Sequence, residues 1–248
     1  MTTDNFRFDK QDEYLYEWIY ENDKWQFVDF FTREPYVIGT NSYVDALTQV
    51  LERIMSRPIG KSYIEELTAL DNIVAIGYNI GPWRENKFFP ESKYLLKIKD
   101  EDVILTGAIN WYSPEEMKNN KKIFQKTLEK GTFNYSFEES AMSLLHEFAH
   151  FYDHVKGENI DKEWDGVSKK YQFISRSEIY ATHVENIGRA EHNMPLRTRY
   201  KSMRLLKYSG QDALIDKETK MSLYYRTGDI LITNFEFLKK QENGFKYK

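Results

Sequence analysis

Ser143-Leu144-Leu145-His146-Glu147-Phe148-Ala149-His150-Phe151-Tyr152-Asp153-His154 is the stretch that decides how the chain is read. It contains His-Glu-x-x-His within a run of helical periodicity. Histidines at i and i+4 stand one turn apart on one helix face, roughly 5–6 Å between Cβ atoms. Two imidazoles so placed can converge on a single zinc ion, while Glu147 acts on water beside it. Ser136 and Glu139 fit a Ser-x-x-Glu capping box at the start of the helix. Gly157, after Lys156, fits a left-handed stop at its end. At helical pitch Ala141, Leu144, Leu145, Phe148, Tyr152 and Val155 gather on one side. His146 and His150 fall opposite, beside Met142, Ala149 and Asp153. The pattern predicts one face for a core and another that presents the histidines to a cleft.

A catalytic zinc site takes three protein ligands and keeps a fourth position open. His154 is a poor third ligand: eight residues beyond His146, it lies about 12 Å further along the axis at 1.5 Å per residue. Asp153 has the same difficulty in smaller measure. The next helix, from Ser175 to about His192, offers better candidates. Glu178, Thr182, Glu185 and Arg189 form one stripe on it, with Ile179, Tyr180, Val184 and Ile187 on another side. Glu178 is the first choice for the metal and Glu185 the second. Each also has a plain structural reading. Glu178 fits a capping box with Ser175, and Glu185 fits an i,i+4 pair with Arg189. Thr182 or Asp153 is a candidate for orienting a ligand histidine from behind.

The surrounding chain is that of an ordinary globular protein. It has 248 residues, 41% hydrophobic and 30% charged, with 18 Tyr, 16 Phe and 5 Trp. The net charge of -4 argues against a general nucleic-acid binder. No apolar run approaches a membrane span, and Met1 to Lys10 lacks the apolar core of a secretory signal. The expectation is a protein made in the cytoplasm of its producer. With no cysteine, disulfides and thiolate metal sites are excluded.

Alternating aromatics at Tyr14, Tyr16, Trp18 and Tyr20, then Trp25 and Phe27, flank Glu21-Asn22-Asp23-Lys24 and predict a hairpin. Residues 43–56 have helical spacing. Pro58 and Gly60 interrupt before a second helix from Tyr63 to Leu70. Strands are expected over Ile73 to Ile76, Tyr94 to Ile98 and Val103 to Trp111, with another near Asp229 to Ile232. The lysines between residues 117 and 130 read as a solvated face. The resulting fold class is α+β, the metal-motif helix packed on a small mixed sheet and the third-ligand helix following it. Three regions are expected: an aromatic-rich extension over 1–44, the catalytic domain over 45–210 and a C-terminal extension over 211–248.

Beyond the zinc motif, Glu178-Ile179-Tyr180-Ala181-Thr182, Glu185-Asn186, Arg189-Ala190-Glu191 and Pro195-Leu196-Arg197-Thr198-Arg199-Tyr200 follow in order. Upstream stand Ser56-Arg57-Pro58-Ile59-Gly60-Lys61 and Ile109-Asn110-Trp111-Tyr112-Ser113-Pro114. This set, across roughly residues 45 to 200, resembles the NleD-like effector metallopeptidases, which include type III effectors and polymorphic-toxin tips. The family pattern often has two consecutive glutamates where this chain has Ser177-Glu178. The resemblance implies a zincin-like fold, delivery into a target cell and zinc-dependent cleavage of a protein there, with host kinases among the candidate substrates. Arg197-x-x-Tyr200 also resembles the Arg-x-x-Tyr pair of clostridial neurotoxin light chains, which implies that Arg197 or Tyr200 stabilises an oxyanion. The rival expectation is a catalytically inactive zincin-fold module that binds a protein partner. Intact Glu147 weighs against it, because a purely structural site has no use for a base.

Overall fold

The computed structural model describes residues 16–29, 32–69, 74–77, 87–89, 94–98, 101–105, 107–115, 137–156, 176–197, 224–227 and 230–233. The chain divides into two compact units: Met1–Ser56 with Ile64–Leu144, and Arg57–Tyr63 with Leu145–Lys248. The secondary structure is mixed helix and strand, with small sheets.

In the first unit, strands β1 (Tyr16–Glu21) and β2 (Lys24–Asp29) form an antiparallel hairpin. Asn22 and Asp23 both have positive φ, 52° and 59°, the geometry whose twist matches the flanking strands. Trp18 faces Phe27 across the pair, ring centroids 4.7 Å apart, and stacks on Trp25. Helix α1 (Ser42–Met55) begins at Asn41, whose side chain accepts from the backbone N–H groups of Tyr43 and Val44. Its Val44, Leu47, Val50, Leu51 and Ile54 are buried at helical spacing.

Strands β3 (Val74–Gly77), β4 (Lys87–Phe89) and β7 (Gly107–Asn110) form a three-stranded mixed sheet in the order β3-β7-β4. The β3–β7 pair is parallel and the β4–β7 pair antiparallel. Strands β5 (Tyr94–Ile98) and β6 (Glu101–Leu105) make a separate antiparallel hairpin. The single strand expected from Val103 to Trp111 is therefore two strands in different sheets. Gly107 opens the second, as suits a residue that weakens strand interiors and marks bends. Just past β7, Trp111 is fully buried. Its indole N–H donates to the Ser140 carbonyl at 3.3 Å, and its own carbonyl accepts from the Tyr43 hydroxyl at 3.0 Å. Ser140 lies near the start of helix α3 (Phe137–Val155), so within this unit the sheet's exit is tied to the first turns of that helix.

Helix α2 (Pro58–Thr68) starts at the proline expected to interrupt it. Proline suits the first helical position, where its missing N–H is not needed. The next N–H, that of Ile59, donates to the Glu191 carboxylate at 3.1 Å.

The second unit holds this start of α2, the later turns of α3, helix α4 (Arg176–Glu191) and a hairpin of β8 (Tyr224–Thr227) with β9 (Ile230–Thr233). The Tyr63 hydroxyl bonds that of Tyr180, and the Tyr63 ring lies 5.0 Å from that of Tyr152. The burial of α3 differs from expectation. Met142, Ala149 and Asp153, assigned to the open face, are as buried as Leu144, Leu145 and Phe148. His150 is half-buried, as are Ser143, Tyr152, His154 and Val155, so the less buried positions do not coincide with the histidine face. Both residues of the expected α3 caps, Ser136 and Gly157, lie outside the described residues, as do Ser175 and the lysines between 117 and 130.

Candidate metal centre

Two helices of the second unit deliver the site. His146 and His150 come from α3 one turn apart, their rings 4.9 Å between centroids and tilted by 75°. Glu178 comes from the first turn of α4. The Nε2 atoms of His146 and His150 are 3.2 Å apart. Oε2 of Glu178 lies 3.3 Å from the first and 3.2 Å from the second.

These three edges carry chemical information. Ligands at the 2.0–2.1 Å bond lengths of zinc, set at tetrahedral angles, stand about 3.3 Å from one another. The ring nitrogens on the far side are already engaged. Nδ1 of His146 lies 3.2 Å from Glu185 Oε2, and Nδ1 of His150 lies 2.6 Å from Ser177 Oγ. When both rings are neutral with the proton on Nδ1, donating outward, each Nε2 presents a lone pair toward the Glu178 carboxylate. Three electron-pair donors then face one another, an arrangement that a cation stabilises. His146, His150 and Glu178 could hold a metal ion, and the residues fit the group that the sequence implied.

The structure thus separates the two acidic candidates. Glu178 joins the cluster. Glu185 stands behind His146, on the nitrogen pointing away from the cluster, so it pairs with that ring and is not placed to hold the same ion. The i,i+4 contact also forms: Arg189 Nε donates to Glu185 Oε1 at 2.8 Å. Arg197, assigned to an oxyanion, places Nη1 2.6 Å from Glu185 Oε2. Tyr200 lies outside the described residues. The Thr182 hydroxyl, a candidate orienter, donates to the Glu178 carbonyl at 2.7 Å. The groups seen on the ligand histidines are Glu185 and Ser177. Both could have been sought by spacing, since Ser177 adjoins Glu178 and Glu185 follows it by two helical turns on the same stripe.

Electrostatics follow the geometry. Burial works to lower the His146 pKa, but the Glu178 and Glu185 carboxylates outweigh it, with Glu147 adding to them, and raise it to about 10. Burial would likewise raise Glu178, yet its bonds to His146 and His150 hold it well below the usual carboxylate range. Glu185 is also held low against burial, by Arg197, His146 and Arg189. Glu147 itself is buried beside His146, and its charge acts on that ring.

No protein-family model matches the chain, and searches of curated proteins and of solved structures found no match. No helix among the described residues is long and apolar enough to cross a membrane.

Proposed function

We propose that this chain is a zinc-dependent endopeptidase of zincin-like fold, and that, as its motif resemblance implies, it is a bacterial effector or toxin that cuts a target-cell protein. The observation that carries the reading is the triangle of His146 Nε2, His150 Nε2 and Glu178 Oε2 with Glu147 buried between the two histidines in sequence. The element order supports it too: a mixed sheet, then the helix bearing His-Glu-x-x-His, then a helix bearing the third ligand. When bound, Zn²⁺ supplies Lewis acidity, bringing the pKa of water toward ~7 and polarising a scissile carbonyl.

The chain's own residues do the rest. Neutral His146 and His150 each offer Nε2, and Glu178 offers one negative oxygen. Glu147 takes the proton of the attacking water on its carboxylate and returns it to the leaving amine nitrogen. Of the two residues that the Arg-x-x-Tyr likeness offers for the oxyanion, Tyr200 donates to it, because the Arg197 guanidinium is engaged by Glu185.

The test combines metal analysis of the purified chain with cleavage of unfolded casein, with and without chelator. Zinc near one equivalent and chelator-sensitive cleavage are expected. Glu147→Gln should keep zinc and fold while losing about 10²–10⁴ in rate. Normal turnover by that variant would remove Glu147 from the chemistry. A chain that retains zinc yet cuts nothing would favour the inactive binding module.

A further inference from the structure

The two ligand histidines are not held alike. Behind His150 stands a hydroxyl, Ser177 Oγ. Behind His146 stands Glu185, whose residue is only 2% exposed. Burying a carboxylate is costly unless it is paired and hydrogen-bonded. Glu185 is paired on both oxygens: Oε1 accepts from Arg189 Nε, and Oε2 faces both Arg197 Nη1 and His146 Nδ1.

Arg197 does not reach Glu185 by accident. Helix α4 ends in a left-handed Asn193, φ 57°, with the Met194 N–H donating to the Arg189 carbonyl at 2.7 Å and that of Asn193 to Ala190 at 3.0 Å. This closure reverses the chain. Arg189 Nη1 then donates to the Pro195 carbonyl at 3.1 Å. Asn186 grips the backbone of Arg197 on both sides, donating to its carbonyl at 2.9 Å and accepting from its N–H at 2.8 Å. Asn186, Arg189 and the Pro195–Arg197 segment thus work as one frame that carries the Arg197 guanidinium to Glu185.

We propose that Glu185 and Arg197 are a positioning pair behind His146: Glu185 accepts the Nδ1–H and so directs the Nε2 lone pair at Glu178 and His150, while Arg197 fixes the carboxylate that does it. This rests on the metal reading above. Neither residue supplies an atom to the triangle, so both act through His146.

The experiment measures Zn²⁺ affinity by competition with a chromophoric chelator, together with the visible absorption of the Co²⁺-loaded chain and the melting temperature of the metal-free chain. Glu185→Gln should weaken Zn²⁺ binding by about 10–100-fold, the range for partners behind metal ligands, and change the Co²⁺ spectrum. Arg197→Gln should weaken it less, and Arg197→Lys should recover most of the loss. Arg197→Gln takes a charge partner from buried Glu185 and should lower the metal-free melting temperature as well. Arg197→Lys keeps the charge and should melt near wild type, and the two together decide the matter if Glu185→Gln does not fold. Unchanged affinity and spectrum in the Arg197 variants, or affinity lost only in step with metal-free stability, would overturn the proposal. A wild-type chain that takes up no Zn²⁺ would instead refute the metal reading itself.

Discussion

His146 and His183 are both buried, yet their protonation is pushed in opposite directions. Burial alone lowers His183 to about 4, so it is neutral near pH 7. For His146 the same burial is overcome by two carboxylates, and the ring is raised to about 10. A folded pKa above the ordinary 6.5 means that this proton stabilises the metal-free chain below about pH 6.5, and that the contribution is lost as pH rises through about 10. A metal ligand, however, must be deprotonated. Loading at neutral pH therefore expels the His146 proton, and Zn²⁺ affinity should climb about tenfold per pH unit where one proton is exchanged. Chelator competition between pH 6.5 and 8, backed by calorimetry in buffers of different ionisation enthalpy, measures the slope. A flat profile would show that His146 is already neutral before the metal arrives.

Helix α4 does two jobs along its length. Its first turn supplies Glu178 and Ser177 to the histidines, and its later turns hold the returning segment. Asn186 is fully buried and satisfies both an N–H and a carbonyl of Arg197. Asn186→Ala removes both of these bonds, at a cost of about 1–3 kcal/mol. A lower urea midpoint and faster amide exchange over residues 194–197 should follow. Exchange unchanged there would show that the segment is held by other contacts. Seen this way, Glu185-Asn186-x-x-Arg189 and Pro195-Leu196-Arg197 form a single device, which the sequence showed only as two neighbouring motifs. Helical periodicity was enough to place α1, α3 and α4. It did not show that Met142, Ala149 and Asp153 are buried, because the two histidines and Asp153 mark that face as polar although Met142 and Ala149 on it are apolar. Pro58 was ambiguous for a local reason: the same residue interrupts one helix or begins the next, and Glu191, far along the chain, supplies the cap that accompanies a beginning. The partners of the ring nitrogens were hidden likewise, since periodicity places side chains on a face but not the Nδ1 and Nε2 atoms on their separate neighbours.

At the scale of the whole chain, every group named in the metal centre falls in the unit formed by Arg57–Tyr63 and Leu145–Lys248. His146 and His150 are held by one helix and Glu178 by another, with residues 157–175 between them in sequence. In the unfolded chain these donors are scattered, so a metal that joins them binds the native state in preference and stabilises it by mass action. Free Zn²⁺ at a hundredfold excess over its dissociation constant contributes about 2.7 kcal/mol. For a chain of this size that corresponds to roughly 5–10 °C in melting temperature. The donor set decides which ion does this. Two imidazoles and one carboxylate suit Zn²⁺, whereas Mg²⁺ and Ca²⁺ favour oxygen ligands throughout. Chelator-treated protein should therefore melt higher with Zn²⁺ and be unmoved by Mg²⁺ or Ca²⁺ at the same concentration, and His150→Ala should abolish the gain. Equal gains from all three ions would point to general charge screening, and no gain from Zn²⁺ would mean that the two rings and Glu178 meet without holding a metal.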